Sequence, residues 1–346
     1  GFTPVDIGSL VAILMFSRIV APLVWGWIAD HREGRMQVVR LASFLTVVAF
    51  AGAFLGTAFW WLAAVMLLFS FFWHASLPLL EVFVMRHTAS RPGAYGRVRL
   101  WGSIGFIVSV LALGPVVDLH GPWWVLPALI SLMAGIWLFS LSLPESEMKG
   151  SVEHPGPFRK VLLRPEVVAF LFACLLMQIG HGPYYTFYSI YLEGYGYSKT
   201  LIGMLWAFGV LCEIGIFLLM PRMLAHVSLR KVLLASFLLA ALRWWLIGRF
   251  PQSLGILVLA QGLHAATFGS FHATAMQLVY RFFTGTHQHR GQAIYGSLSF
   301  GIGGAVGSFY SGYAWASLGP AMTFNIAAAS ASAAFVVAYF LIKPKT

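Results

Sequence analysis

The sequence predicts an all-α polytopic membrane protein built from two related helix bundles, and three observations carry that expectation. Of its 346 residues 59% are hydrophobic and only 10% charged, with a mean hydropathy of +0.81; a water-soluble core of this size cannot bury such a balance. Eleven apolar runs are long enough to cross a bilayer, which takes about 20 residues in a helix. The chain also repeats itself. Thr3 to Leu10 reads against Ser198 to Leu205 at an offset of 195, Trp101 to Phe106 against Tyr295 to Phe300 at 194, and Leu41 to Phe44 against Leu234 to Phe237 at 193. Parallel repeats of this size in a polytopic chain are the pattern of carriers made of two bundles, with function expected between the halves.

In order, the predicted spans are 5–29, 37–56, 60–86, 97–117, 123–143, 166–192, 200–222, 231–248, 253–282, 292–316 and 321–342. The runs are too long for barrel strands and lack period-two alternation, so each is a helix that satisfies its backbone internally. Thr3, Pro4 and Asp6 open the first span with a capping hydroxyl, a proline in the first turn and an acid at the positive dipole end. By the repeat, this span matches the one starting near residue 200, which follows a helix at 166–192. The first half has no counterpart of that helix. The expected plan is therefore twelve helices with the first missing: an N-terminal bundle at 1–143 (helices 2–6), a cytoplasmic linker at 144–165, and a C-terminal bundle at 166–346 (helices 7–12).

Basic residues set the orientation. Eighteen Lys and Arg fall by the loops of one side, from Arg32 through the linker to Lys345, against Lys199 and Arg249 on the other. The rich side is expected to be cytoplasmic, with the C-terminus on it. The net charge of +11 does not point to nucleic acid, because the cations alternate with apolar runs and do not gather on one solvated face. Cys174 and Cys212 lie within apolar segments, so no disulfide framework or metal centre is expected.

Ionisable residues inside spans cost roughly 2.5–3.5 kcal/mol on insertion scales and are functional candidates by default. Arg18 and Glu213 each stand fifteen residues after an outer helix start, about 22 Å along the axis. Arg243 lies twelve residues past Lys231, about 18 Å in on a helix running the other way. His264 follows Ser253 by eleven residues. All four reach mid-depth. Glu213, Arg243 and His264 converge on three consecutive helices, and a carboxylate beside an arginine has a proton affinity that a change of contact can move. They are the expected proton-coupling group; a static ion pair joining helices is the bland alternative. Arg18 has no acid near it in sequence, so its expected partner is either a substrate carboxylate, gripped bidentately, or a residue of the missing helix. Among the many aromatics, Tyr184, Tyr185, Trp101 and Phe106 are candidates for stacking on an aryl ring. His272, His74 and His181 read as structural.

Gly26, Asp30, Gly34 and Arg35 in the first cytoplasmic loop resemble the loop motif of the major facilitator superfamily. Glu81, eighteen residues before Arg99 in Gly96-Arg-Val-Arg99-Leu-Trp101-Gly-Ser103, resembles the corresponding region of lactose permease and the related phenylpropionate permeases. Gln178-x-x-His181-x-x-Tyr184-Tyr185, Tyr195-Gly-Tyr197 and Leu205-Trp206-x-x-Gly209-Val210-x-x-Glu213 are similar to the phenylpropionate permeases in particular. The resemblance implies the major facilitator fold in a bacterial inner membrane. It also implies proton-coupled symport of a small aromatic acid such as 3-phenylpropionate, by a monomer that needs no cofactor beyond the proton gradient. It extends the substrate site to Glu81 and Arg99 and agrees with the proton-coupling group. Phe106 stands where lactose permease has its sugar-stacking tryptophan, and Thr267 where it has a carboxylate. Sugar or nucleoside symport and drug or metabolite export are the alternatives. An intramembrane enzyme would need a nucleophile with a base or clustered metal ligands, and the sequence offers neither.

Overall fold

A computed structural model describes residues 1–31, 34–88, 94–145 and 158–342, with the side chains of Asp30, Arg35, Val82, Arg86, Ala94 and Thr286 left out. The described chain is helical nearly throughout. The helices are α1 (Pro4–Asp30), α2 (Arg35–Ala51), α3 (Phe59–Thr88), α4 (Ala94–His120), α5 (Val125–Leu141), the short α6 (Phe158–Leu162), α7 (Pro165–Gly194), α8 (Lys199–His226), α9 (Leu229–Arg249), α10 (Leu254–Gly262), α11 (Phe271–Phe282), α12 (Gln288–Gly296), α13 (Gly304–Leu318) and α14 (Pro320–Leu341). A π-helical stretch, Ala265–Ser270, joins α10 to α11, and a second, Ser297–Gly303, joins α12 to α13.

Ten of the eleven expected spans are helices long and apolar enough to cross a membrane. The remaining one falls on Gln288–Leu318, which is helical but rich in glycine and serine. Those small residues serve packing. A Cβ on Gly182 of α7 would overlap the backbone of Gly307 in α13, and one on Gly312 would come within 2.6 Å of the Pro4 carbonyl. Backbones this close are how helices associate where lipid is as apolar as leucine.

The helix starts follow local chemistry. Thr3 and Asp6 cap each other: the Asp6 N–H donates to Thr3 Oγ1 at 3.2 Å, and the Thr3 N–H to Asp6 Oδ2 at 2.9 Å, a reciprocal capping box. Ser198 and Ser228 accept from the third residue of α8 and α9, at 3.2 and 3.4 Å. Gly319, at φ +83°, turns the chain directly into Pro320 at the head of α14, a left-handed position that suits glycine.

The chain divides into two compact units, Ile13–Val152 and a second comprising Thr3–Ala12 with Glu153–Thr346. In the first, α2 packs on α3 and α5. In the second, α7 is the central helix, and α14 lies against both α7 and α9. Both units keep the same internal bond. Ser43 Oγ on α2 is 3.1 Å from Ser76 Oγ on α3, and Ser236 Oγ on α9 is 3.1 Å from Ser270 Oγ in the π turn. The paired serines stand 193 and 194 residues apart, so the Leu-Ala-Ser-Phe echo preserves one interhelical hydrogen bond. Each unit also uses an arginine to cap its last helix. Arg40 donates to the carbonyls of Ser140 and Leu143 at 3.3 and 2.7 Å, and Arg230 to those of Ile342 and Tyr339 at 2.7 and 2.6 Å.

Candidate functional site

The densest buried polar cluster surrounds Arg243, which is wholly inaccessible to solvent. Its Nη1 donates to His264 Nδ1 at 3.1 Å and to Thr267 Oγ1 at 2.9 Å, and its Nη2 donates to Gln261 Oε1 at 3.1 Å. Two rings flank the guanidinium, with the Tyr184 centroid 4.3 Å and the Trp244 centroid 4.6 Å from its central carbon. Cation–π contact of this kind strengthens when desolvated. The Tyr184 hydroxyl donates to the same Gln261 oxygen at 2.9 Å. Glu213 Oε2 lies 3.2 Å from His264 Nε2, with 14% of the Glu213 side chain and 6% of that of His264 exposed.

The expected carboxylate, arginine and histidine therefore do converge, with the imidazole between the two charges. An arginine N–H can only donate, so Nδ1 of His264 carries its lone pair and Nε2 carries the hydrogen that Glu213 accepts. Arg243 thereby sets the tautomer, and the carboxylate reads the arginine through it. Glu166 and Glu193 lie at the two ends of α7, which leaves Glu213 as the acid deepest within a helix among the described residues of this unit.

Gln261 was not among the expected residues, although a signal was available. Gln261, His264 and Thr267 are spaced by three in an otherwise apolar helix, a polar stripe along one face. The π turn that starts directly after His264 carries Thr267 and widens the helix where the cluster forms; single π turns are frequent at functional sites. Ring stacking continues below it. Phe268 lies 5.3 Å from His264 and 6.0 Å from His272, with the planes within 9° and 11°.

Tyr184 and Tyr185 separate in role. Tyr184 is buried, with one side over Arg243 and its ring 4.5 Å from that of Trp206. Tyr185 is 43% exposed and lies nearly parallel to Trp206 at 6.3 Å and to His181 at 5.8 Å. In the other unit Phe106 and Trp101 are exposed on α4. Glu81 and Arg99 form an ion pair at 2.7 Å between α3 and α4, more than a third exposed on each side.

Arg18 does have a partner within its own unit. Its Nε donates to His74 Nε2 at 3.1 Å, and His74 Nδ1 is 2.7 Å from Ser17 Oγ. His74, read from sequence as structural, is the group facing Arg18. Of the loop motif, Gly26 lies within α1, and Gly34 precedes α2 at φ +92°. The Asp30 and Arg35 side chains fall outside the described residues. Beside Gly34, the Met36 N–H donates to Glu145 Oε1 at 3.0 Å, and Glu145 Oε2 is 3.6 Å from Arg40.

Membrane-length helices in two units that repeat one another, with buried titratable groups inside the spans, define a transporter of the major facilitator type and not an enzyme. The chain belongs to the MFS_1 like family, whose model matches residues 1–326. It is 30% identical over 340 residues to the "Probable 3-phenylpropionic acid transporter" of Escherichia coli (strain K12), covering 97% of this chain and 89% of that protein. It is 26% identical over 297 residues to the "Putative nucleoside transporter YegT" of the same organism, covering 80% of this chain and 68% of that one. Among solved structures, the nucleoside transporter NupG matches with a TM-score of 0.81 at 18% identity, covering 99% of this chain and 90% of that one.

Proposed function

We propose that this transporter is a proton-coupled symporter of a small aromatic carboxylate such as 3-phenylpropionate. It acts by alternating access in the bacterial inner membrane, as a monomer with its C-terminus in the cytoplasm. The observation that carries the reading is the Glu213–His264–Arg243 chain. A carboxylate, an imidazole and a guanidinium, buried together in membrane-spanning helices, are expensive unless each offsets another. A proton that reaches Glu213 cancels its charge and leaves Arg243 without its counter-charge. Protonation and deprotonation thus favour different packings of α8 against α10, and a difference in affinity between two states is what couples a proton to a conformational change. The proton gradient is the only driving agent required.

The substrate class is supported by the name of the relative at 30% identity and by the chemistry within each unit. Arg18 supplies a cation for a carboxylate, with Glu81 and Arg99 beside it in the same unit. Tyr185, with Trp206 and Phe106, supplies exposed aromatic faces for an aryl ring. Tyr184 forms the wall of the proton-coupling cluster. A nucleoside cargo is the second reading, favoured by the fold match and by the 26% relative.

The test is uptake of labelled 3-phenylpropionate into proteoliposomes, with and without an imposed inward proton gradient. Accumulation above equilibrium only with the gradient, abolished by a protonophore, is expected. Uptake that ignores the gradient would leave facilitated diffusion, and competition by uridine but not by benzoate analogues would move the cargo to nucleosides.

A further inference from the structure

Around Arg18 each hydrogen bond has a forced direction. Nε of an arginine can only donate, so Nε2 of His74, 3.1 Å away, presents its lone pair. A neutral imidazole then carries its hydrogen on Nδ1, which donates to Ser17 Oγ at 2.7 Å. The Ser17 hydroxyl is in turn committed to the Leu14 carbonyl at 2.9 Å. Ser17 and His74 are 3% and 9% exposed, so water does not compete strongly for either. The backbone of α1 thus orients the serine, the serine the imidazole, and the imidazole the guanidinium.

We propose that His74 is a positioning residue for the substrate carboxylate: it holds the Nε edge of Arg18 without neutralising it. Resting on the reading of the cargo as an organic anion, this explains why a histidine stands here and not an acid. A carboxylate at this position would fix the arginine equally well, but it would cancel the charge and compete with the incoming anion. A neutral acceptor orients the cation and leaves its charge for the ligand. With Nε engaged, parallel bidentate grip falls to the two terminal amino groups, which selects the end-on approach over the side-on one. The other unit differs at this point. The residue 194 positions on, the spacing that separates Ser76 from Ser270, is Phe268, stacked between two imidazoles. The repeat keeps the serine pair and changes this position.

The experiment measures uptake of labelled 3-phenylpropionate and, in parallel, binding of the neutral 3-phenylpropionamide by thermal shift, for the full chain and its variants. In His74→Phe the ring is kept and the acceptor lost. KM for the acid should rise roughly tenfold, as expected for losing one hydrogen bond to a charged group, with kcat within about twofold and amide binding unchanged. His74→Gln, whose amide can accept from Arg18 and donate to Ser17, should restore KM. In an Arg18→Gln background His74→Phe should add no further penalty. Should His74→Phe fail to fold, Ser17→Ala, which unties the imidazole, should raise KM for the acid in the same direction by a smaller factor. An unchanged KM, a penalty that persists without Arg18, or equal loss of acid and amide binding would make His74 structural and overturn the proposal. Failure of the unmodified protein to bind any aryl carboxylate would overturn the cargo reading itself, and this inference with it.

Discussion

Nη1 of Arg243 donates to Nδ1 of His264 across 3.1 Å, so the imidazole turns its hydrogen-bearing nitrogen toward Glu213 and relays the arginine's field to the acid. Glu213→Gln keeps the shape and removes the titratable proton. Gradient-driven accumulation should fall to the passive level, while exchange of labelled for unlabelled substrate across the same liposomes persists. Loss of exchange as well would show that Glu213 serves binding and not coupling.

Arg243 is surrounded by acceptors and ring faces, so its removal leaves a buried acid uncompensated. Arg243→Leu should destabilise the protein by about 3–5 kcal/mol, the cost of breaking one side of a buried charge pair. The double variant Arg243→Leu, Glu213→Gln should recover part of that loss. Thermal unfolding in detergent, followed by size-exclusion fluorescence, reads both. Equal melting of the single and double variants would mean that the two charges do not sense each other.

Glu81 and Arg99 pair within 2.7 Å at an exposed position, where such a pair is worth under about 1 kcal/mol. Their proposed task is in substrate handling, so neutralising either one should leave unfolding temperature nearly unchanged and raise KM for the aryl acid. Exchanging the charges, Glu81→Arg with Arg99→Glu, should not restore uptake. Restored uptake would reduce the pair to a structural tie.

Gly182 and Gly307 meet backbone to backbone between α7 and α13. Gly182→Ala forces that contact apart, and overpacking of this kind costs about 1–3 kcal/mol. A clear drop in unfolding temperature is expected for Gly182→Ala, with little change for Gly215→Ala on α8, where a methyl meets nothing within 4 Å. The opposite ranking would contradict the packing described here.

What the sequence made legible was local or periodic. Thr3 with Asp6, Ser198 and Ser228 announced helix starts through capping chemistry, and the Leu-Ala-Ser-Phe echo announced the repeat whose serines now prove to be bonded across helices. Depth counting brought Glu213, Arg243 and His264 together because each residue advances a fixed distance along its helix. The partner of Arg18 was not legible: His74 lies 56 residues away, and no spacing rule connects two helices through a side chain. Nor was the imidazole's place between Glu213 and Arg243, since depth fixes height along the axis and not the angle at which a side chain leaves it.

The π turn at Ala265–Ser270 bears on how the family could vary. It holds one more residue than the ordinary helix would need to cover the same length, and that surplus lets His264, Phe268 and His272 stand in one column where regular winding would fan them apart. Deleting a single residue there would wind the stretch back to plain helix and swing everything after it by about 100°, carrying His272 out of line while His264 kept its place. In this span chain length itself is under constraint, so a related sequence shorter by one residue would have to build its polar face from different positions.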